Sequence, residues 1–246
     1  MTATTQAGAG RTGALTAAVW SALGTVRDPE LDEPLTELGF VERLEVSATG
    51  RAVVRLRLPT YFCAPNFAFL MVADAYDAVT AVPGVTELDV ALQDHFAAEA
   101  INTGVAARAG FVASFEGEAV DELDSLRADF VRKAVYAGTD RVCRAMLAAG
   151  TEATRLPALT LGDAPEGEDR ERLRARRREL GLPAGDGDPL LVDPRTGDPV
   201  ASENLTRYLG FARLTRTSQE ANSGVCRGML RARYPHPHSQ HEEGRP

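Results

Sequence analysis

Cys63 stands in the segment Pro59-Thr60-Tyr61-Phe62-Cys63-Ala64-Pro65-Asn66, between an alternating run and a stretch of helical periodicity. A cysteine at such a junction lies next to the N–H donors of a helix N-terminus. Those donors favour a thiolate, the form of sulfur that attacks electrophiles or binds metal. The bland alternative is a small apolar residue filling a gap. The other sulfurs, Cys143 and Cys226, occur in related hexapeptides, Val142-Cys143-Arg144-Ala145-Met146-Leu147 and Val225-Cys226-Arg227-Gly228-Met229-Leu230. Both are expected near helix N-terminal regions. If they face the Cys63 loop, the thiolates, joined by a carboxylate or His95, would make a soft metal site. The competing reading is a pair of buried core cysteines, because no C-x-x-C spacing marks a metal motif.

Carboxylates gather in the proline-punctuated stretch Asp28 to Leu38, where Asp28 and Glu30 are candidate ligands beside Cys63. His95 is the one histidine ahead of the C-terminal tail. It is a candidate neutral ligand, or a surface or core residue at a strand end. A Cys–His nucleophilic pair would need a third, orienting group and an oxyanion motif, and neither is present. Gly8-Ala9-Gly10 precedes any strand and is no phosphate loop. The chemistry points away from an enzyme.

The elements that must carry these residues follow from periodicity. Ala14 to Val26 spaces Leu15, Val19, Leu23 and Val26 as an amphipathic helix ended by Asp28-Pro29. Phe40 to Val46 and Ala52 to Leu58 alternate around a Gly-containing turn and predict an antiparallel hairpin. Phe67 to Val82 is helical up to Pro83-Gly84, and Val85 to Leu92 alternates again. Strand, helix, strand implies a right-handed crossover and parallel pairing. The expected fold class is α+β: a small α-β-β-α-β mixed-sheet sandwich with helices on one face, followed by a mostly helical C-terminal region.

That second half predicts a short strand at Gly110 to Phe115 and a helical stretch from Val120 to Ala149, divided near Gly138. After a loop from Thr151 to Asp169, a basic helix at Arg170 to Leu180 should expose its arginines to solvent. A small hairpin is expected around Leu190-Leu191-Val192, then helices at Ser202 to Leu214 and Asn222 to Arg233. The domain expectation is a disordered leader over 1–13, a domain over 14–102, the helical region over 103–233 and a disordered tail over 234–246. The tail histidines His236, His238 and His241 could bind metal adventitiously.

The chain has 246 residues and a net charge of −8, with 44% hydrophobic and 25% charged residues. That is an ordinary globular balance, and the negative charge argues against nucleic acid or an anionic membrane as partner. No apolar run approaches a membrane span, and scattered cysteines fit a reducing cytoplasm. Abundant Ala, Arg and Gly suggest a bacterial source.

Residues 14–92 resemble the MIP18-like domain of iron–sulfur assembly factors and of the PaaD component of phenylacetate degradation. The resemblance rests on the first helix running into Asp28-Pro29-Glu30-Leu31, on Leu38-Gly39-Phe40-Val41 opening the hairpin, on the cysteine loop after the second strand, and on the Val82-Pro83-Gly84-Val85 turn. The Pro59-Thr60-Tyr61 lead-in looks most like the PaaD branch. The family pattern has Gly before the cysteine and Pro after it, where this chain has Phe62 and Ala64. A Trp- and Pro-containing segment is replaced by Gln93-Asp94-His95-Phe96. The resemblance implies a maturation factor that holds iron or an iron–sulfur cluster transiently through Cys63. Its partners would be assembly machinery and a client metalloprotein, such as a multicomponent oxygenase. A metal-free adaptor using the same fold for protein contacts is the alternative, and an exposed edge strand leaves a homodimer open.

Overall fold

Alternation along Phe40 to Leu58 produces the hairpin: β1 (Val41–Val46) pairs antiparallel with β2 (Arg51–Leu56) in a computed structural model that describes residues 3–235. Gly50 closes the turn at φ +90, donating its N–H to Ser47 O at 3.0 Å. β3 (Glu87–Leu92) runs parallel to β2, giving the sheet order β1-β2-β3. Alternate residues Leu44, Ala52, Val54, Leu56, Val90 and Leu92 are buried. Against them pack α1 (Ala3–Leu23), through Val19 and Leu23, and α3 (Pro65–Thr80), through Phe69, Val72, Ala75 and Val79. The opposite face carries polar pairs such as Arg55–Asp89 at 2.6 Å. The expected mixed-sheet sandwich is present.

The chain divides into two units. The first comprises residues up to Pro29, Glu33–Leu123 and the stretch from Ser223 onward; besides α1, α3 and the sheet it holds α2 (Leu35–Leu38), α4 (Ala98–Ala107) and α5 (Gly110–Ser114). The second comprises Glu30–Asp32 and Asp124–Asn222. It contains α6 (Asp124–Ala148), α7 (Glu168–Glu179) and the first part of α8 (Leu205–Arg233). Its core joins Val135, Val142, Cys143, Met146, Leu156, Leu161, Leu173 and Tyr208. Among the described residues no helix is long and apolar enough to cross a membrane.

Several expectations are corrected. Helix α1 begins at Ala3, inside the expected leader, because alanine favours helix even without an apolar stripe. Gly110 to Phe115 is helix α5 rather than strand: Glu122 accepts from Phe111 and Val112 N–H at 2.9 and 3.1 Å, and Phe111 stacks on Phe115 at 4.8 Å. Helix α6 runs through Gly138 unbroken. A Cβ on Gly138 would meet Leu173 at 3.4 Å, an ordinary van der Waals contact, so this glycine marks neither a break nor a forced close approach. Thr139 and Asp140, next to that glycine, are buried in mid-helix, where Thr139 bonds Val135 O at 2.8 Å and Asp140 pairs with Arg216 at 2.5 Å.

The two predicted C-terminal helices are one helix, α8. Within the stretch that looked like a break, Arg216 and Gln219 are buried, Arg216 pairing with Asp140 at 2.5 Å and Gln219 donating to Glu30 O at 3.2 Å. The small hairpin expected around Leu190-Leu191-Val192 is present in short form: Val192 and Pro199 make an antiparallel bridge, flanked by Asp193 N–H to Asp198 O at 2.9 Å and Val200 N–H to Leu191 O at 3.0 Å, with Tyr208 donating to Val192 O at 2.9 Å. Helix α7 does not present a solvated basic face. Arg177 is fully buried and donates to Pro189 O at 2.9 Å, and Arg172 and Arg176 both grip Asp32, at 2.9 and 2.8 Å.

Candidate functional site

Because β2 and β3 are parallel, the loops that follow them leave the sheet at the same edge. Backbone bonds zip these loops together: Gln93 N–H to Leu56 O at 2.8 Å and Phe96 N–H to Tyr61 O at 3.1 Å. Asp94 adopts a left-handed φ of +52, which turns the chain sharply before His95. Asx residues tolerate that conformation better than most.

Cys63 lies one residue ahead of Ala64, the N-cap of α3, with Pro65 opening the helix. Proline suits that first position, since its missing N–H would have no helical partner. The half-buried Cys63 sulfur lies 3.3 Å from Thr60 Oγ1, which also accepts from Phe62 N–H at 3.2 Å. His95 is 5% exposed, and its Nε2–H donates to the Cys63 carbonyl at 2.7 Å while Nδ1 accepts from Ala97 N–H at 3.2 Å. The carbonyl can only accept and the amide can only donate, so this pairing fixes the tautomer. Burial pushes the imidazole's pKa below its ordinary value; the Cys63 carbonyl opposes that shift and Arg233 adds to it. His95 is therefore a neutral clamp on the backbone of the cysteine loop, with both ring nitrogens committed. That is the buried residue at a strand end, one of the two readings its position allowed.

The end of α8 buttresses the same turn. Arg233 donates to Leu58 O at 3.2 Å and to Asp94 O at 2.6 Å, and Tyr234 donates its hydroxyl to Asp94 Oδ2 at 2.9 Å. Arg57 stacks on the Tyr234 ring at 4.6 Å. Tyr234 thus belongs to the fold, although it falls inside the expected tail; His236, His238 and His241 lie outside the described residues. On the far side of β3, the Asn102 amide accepts from Leu92 N–H at 2.8 Å and donates to Leu92 O at 3.0 Å, pairing that backbone as a neighbouring strand would.

The Cys63 loop and the loop after β3 together carry a rim of clustered aromatic rings, Tyr61, Phe62 and Phe96. Phe62 is 76% exposed, Phe96 49% and Tyr61 44%. Their centroids lie 5.0 Å apart for Tyr61–Phe62 and 5.9 Å for Phe62–Phe96, within contact range for aromatic pairs. Large apolar side chains grouped in the open mark interaction surfaces. Sequence reasoning missed this rim, although Phe62 and Phe96 fall at the two places where the chain departs from the family pattern.

The remaining candidate ligands have other roles. Glu30 lies in the second unit, where its carboxylate accepts from Asn222 at 3.3 Å. Asp28 is buried in a loop pinched by its own N–H to Glu33 O at 2.9 Å. Cys143 is 1% exposed in the second unit's core, and burial, reinforced by Asp140, raises its pKa to about 12. Such a thiol stays protonated and acts as a small apolar residue. Cys226 is half-buried on the part of α8 that belongs to the first unit. Both cysteine hexapeptides lie toward helix C-termini, opposite to expectation. Among the described residues no three of His, Cys, Asp or Glu gather as a metal site.

Residues 16–90 match the model of a family described as iron–sulfur cluster assembly protein. The match includes Cys63 and stops short of His95 and Phe96. It supports a general role in iron–sulfur cluster assembly. No curated protein and no solved structure matches the chain.

Proposed function

We propose that this protein is a non-enzymatic maturation factor that passes iron or an iron–sulfur cluster to a client metalloprotein, with Cys63 as its point of contact with the cargo. The observation that carries this reading is a half-buried thiol on a clamped loop that carries exposed aromatic side chains, within the segment that matches the assembly family. Iron–sulfur clusters are held by several thiolates, commonly four, or by thiolates with imidazole. Here one thiol is presented, so the donor or the acceptor must complete the coordination. That arrangement suits cargo in transit, because incomplete ligation leaves a path for exchange.

Each residue has a part in this. Thr60 can donate its hydroxyl to the thiolate, His95 fixes the loop backbone, and Tyr61, Phe62 and Phe96 offer apolar area on which a partner can seat and exclude water. The Pro59-Thr60-Tyr61 lead-in supports a client of the oxygenase type, in a reducing cytoplasm.

The test is anaerobic loading with ferrous iron and sulfide, followed by transfer to an apo-acceptor, for the parent, Cys63→Ala and Cys226→Ala. The expected result is loss of visible absorbance and of transfer in Cys63→Ala alone, with thermal stability unchanged. Equal loading and transfer by Cys63→Ala would sink the reading.

A further inference from the structure

Strand β1 ends the sheet, so one side of its backbone has no strand beside it. Ser47 donates its N–H to Arg51 O at 2.8 Å and therefore faces β2. Orientation alternates along a strand, so Glu45 and Arg43 also turn their backbone groups toward β2, while Val46 and Leu44 turn theirs outward. Among the described residues no backbone bond from outside the sheet reaches those outward groups. The side chains of Arg43 and Glu45 stand on the polar face, 55% and 49% exposed, and pair with each other at 2.5 Å. An open edge is a template for a further strand unless its side chains oppose one. Here the exposed charges are of opposite sign two positions apart, which makes the edge complementary to an antiparallel copy of itself.

We propose that two copies of this chain pair β1 to β1, antiparallel and centred on Leu44, so that one sheet runs through both. Leu44 then exchanges N–H···O=C bonds with its own copy, as the outward orientation of its backbone requires. Arg43 falls opposite Glu45 of the second copy, and Glu45 opposite the second copy's Arg43. Those are positions without ladder bonds, where facing side chains come closest. Charge selects the register: each neighbouring register that keeps outward groups opposed sets Arg43 against Arg43 or Glu45 against Glu45. The two-fold joins equal patches, as closed dimers do. A register shift between Val41 and Arg43 bends the strand there, which confines the contact to Arg43 through Val46 and makes the dimer reversible rather than obligate. Val41 faces Leu56, so the loop after β2 leaves at the Val41 end, and the two Cys63 loops lie at opposite ends of the paired strands. A strand of this length spans about 20 Å. Each copy therefore keeps its own thiol, and the pairing is independent of any cargo.

The experiment is sedimentation equilibrium of the full chain in reducing buffer over a wide range of concentration, with circular dichroism to check that each variant is folded. A reversible monomer–dimer equilibrium is expected. Arg43→Glu or Glu45→Arg alone sets like charges opposite each other on both sides of the two-fold and should weaken the dimer about tenfold. The double swap Arg43→Glu/Glu45→Arg makes the edge self-complementary again and should return the dimer to within about threefold of the parent. An equimolar mixture of the two single variants should associate as the parent does, because each supplies the charge the other lacks. Cys63→Ala should dimerise unchanged, which separates this inference from the cargo reading. A chain that stays monomeric at every concentration overturns the inference. So does a dimer that the single swaps leave intact or that the double swap fails to restore.

Discussion

His95→Phe isolates the clamp on the cysteine loop. The substitution keeps an aromatic ring of similar size beside Phe96, whose centroid is 4.9 Å away, so a cavity contributes little. It removes the bond to the Cys63 carbonyl at 2.7 Å and the bond from Ala97 N–H at 3.2 Å. Each net hydrogen bond is worth about 0.5–1.5 kcal/mol, and a buried group left unpaired costs about 1–3 kcal/mol. The Ala97 bond is buried and the Cys63 carbonyl partly so, which gives a loss of about 2–4 kcal/mol. His95→Gln can still donate to Cys63 O and should lose about half of that.

The parent should also show a pH signature. Burial lowers the pKa of folded His95 below 6.5. Above that pH both folded and unfolded chains are neutral at this position and the full stability is present. As pH falls below 6.5 the unfolded chain takes up the proton first, and stability declines until the folded imidazole also titrates. Urea unfolding from about pH 7.5 down to about pH 5 should therefore show a fall that His95→Phe lacks. Cys63 alkylation should quicken in His95→Phe as the loop loosens. A His95→Phe chain as stable as the parent, with the same pH slope, would refute the clamp.

Two further substitutions test the surrounding frame. Asp32 is 2% exposed, with Arg172 and Arg176 against it at 2.9 and 2.7 Å and Arg141 at 3.9 Å. Asp32→Asn removes the buried carboxylate these guanidinium groups share, while Arg141 keeps Asp169 at 3.2 Å and Arg176 keeps Glu179 at 2.5 Å, and should cost about 3 kcal/mol in urea unfolding. Gly50→Ala combines a left-handed φ with a Cβ placed 2.2 Å from Gly84 O, so the hairpin turn must shift. A stability loss of about 2 kcal/mol or more is expected, read as a lowered thermal midpoint.

Periodicity made the first ninety or so residues of this fold accessible because each element there buries a regular face. The second half resisted for a physical reason. Gly138, Thr139, Asp140, Gln219 and Ser223 have the composition of breaks and caps, yet all are buried in mid-helix, four of them polar. Asp140 and Gln219 are met by partners distant in sequence, Arg216 and the Glu30 carbonyl, and one-dimensional patterns do not record such partners. Helix α7 misled in the same way: its arginines look solvated because their counter-charge, Asp32, lies 140 positions earlier for Arg172. Cys63 and the loop carrying it were accessible because they stand at a strand–helix junction. The clamp, Arg233 and the aromatic rim were not, because they arise where the loop after β3 meets the loop after β2.

The fate of the other candidate ligands bears on what Cys63 can do. Glu30 is committed to Asn222, His95 to the backbone of its own site, and Cys143 to an apolar core. A resident metal centre needs its ligands deprotonated, convergent and oriented by further hydrogen bonds. The described residues offer one thiol with a hydroxyl beside it and apolar rings on its loop. Those features suit a surface on which coordination is completed by another molecule, and the exposed rings supply the area that molecule would bury. Cargo affinity in the isolated chain should then be weak and should rise when a thiolate-bearing donor or acceptor is present. Tight stoichiometric iron binding by the isolated chain would contradict that account.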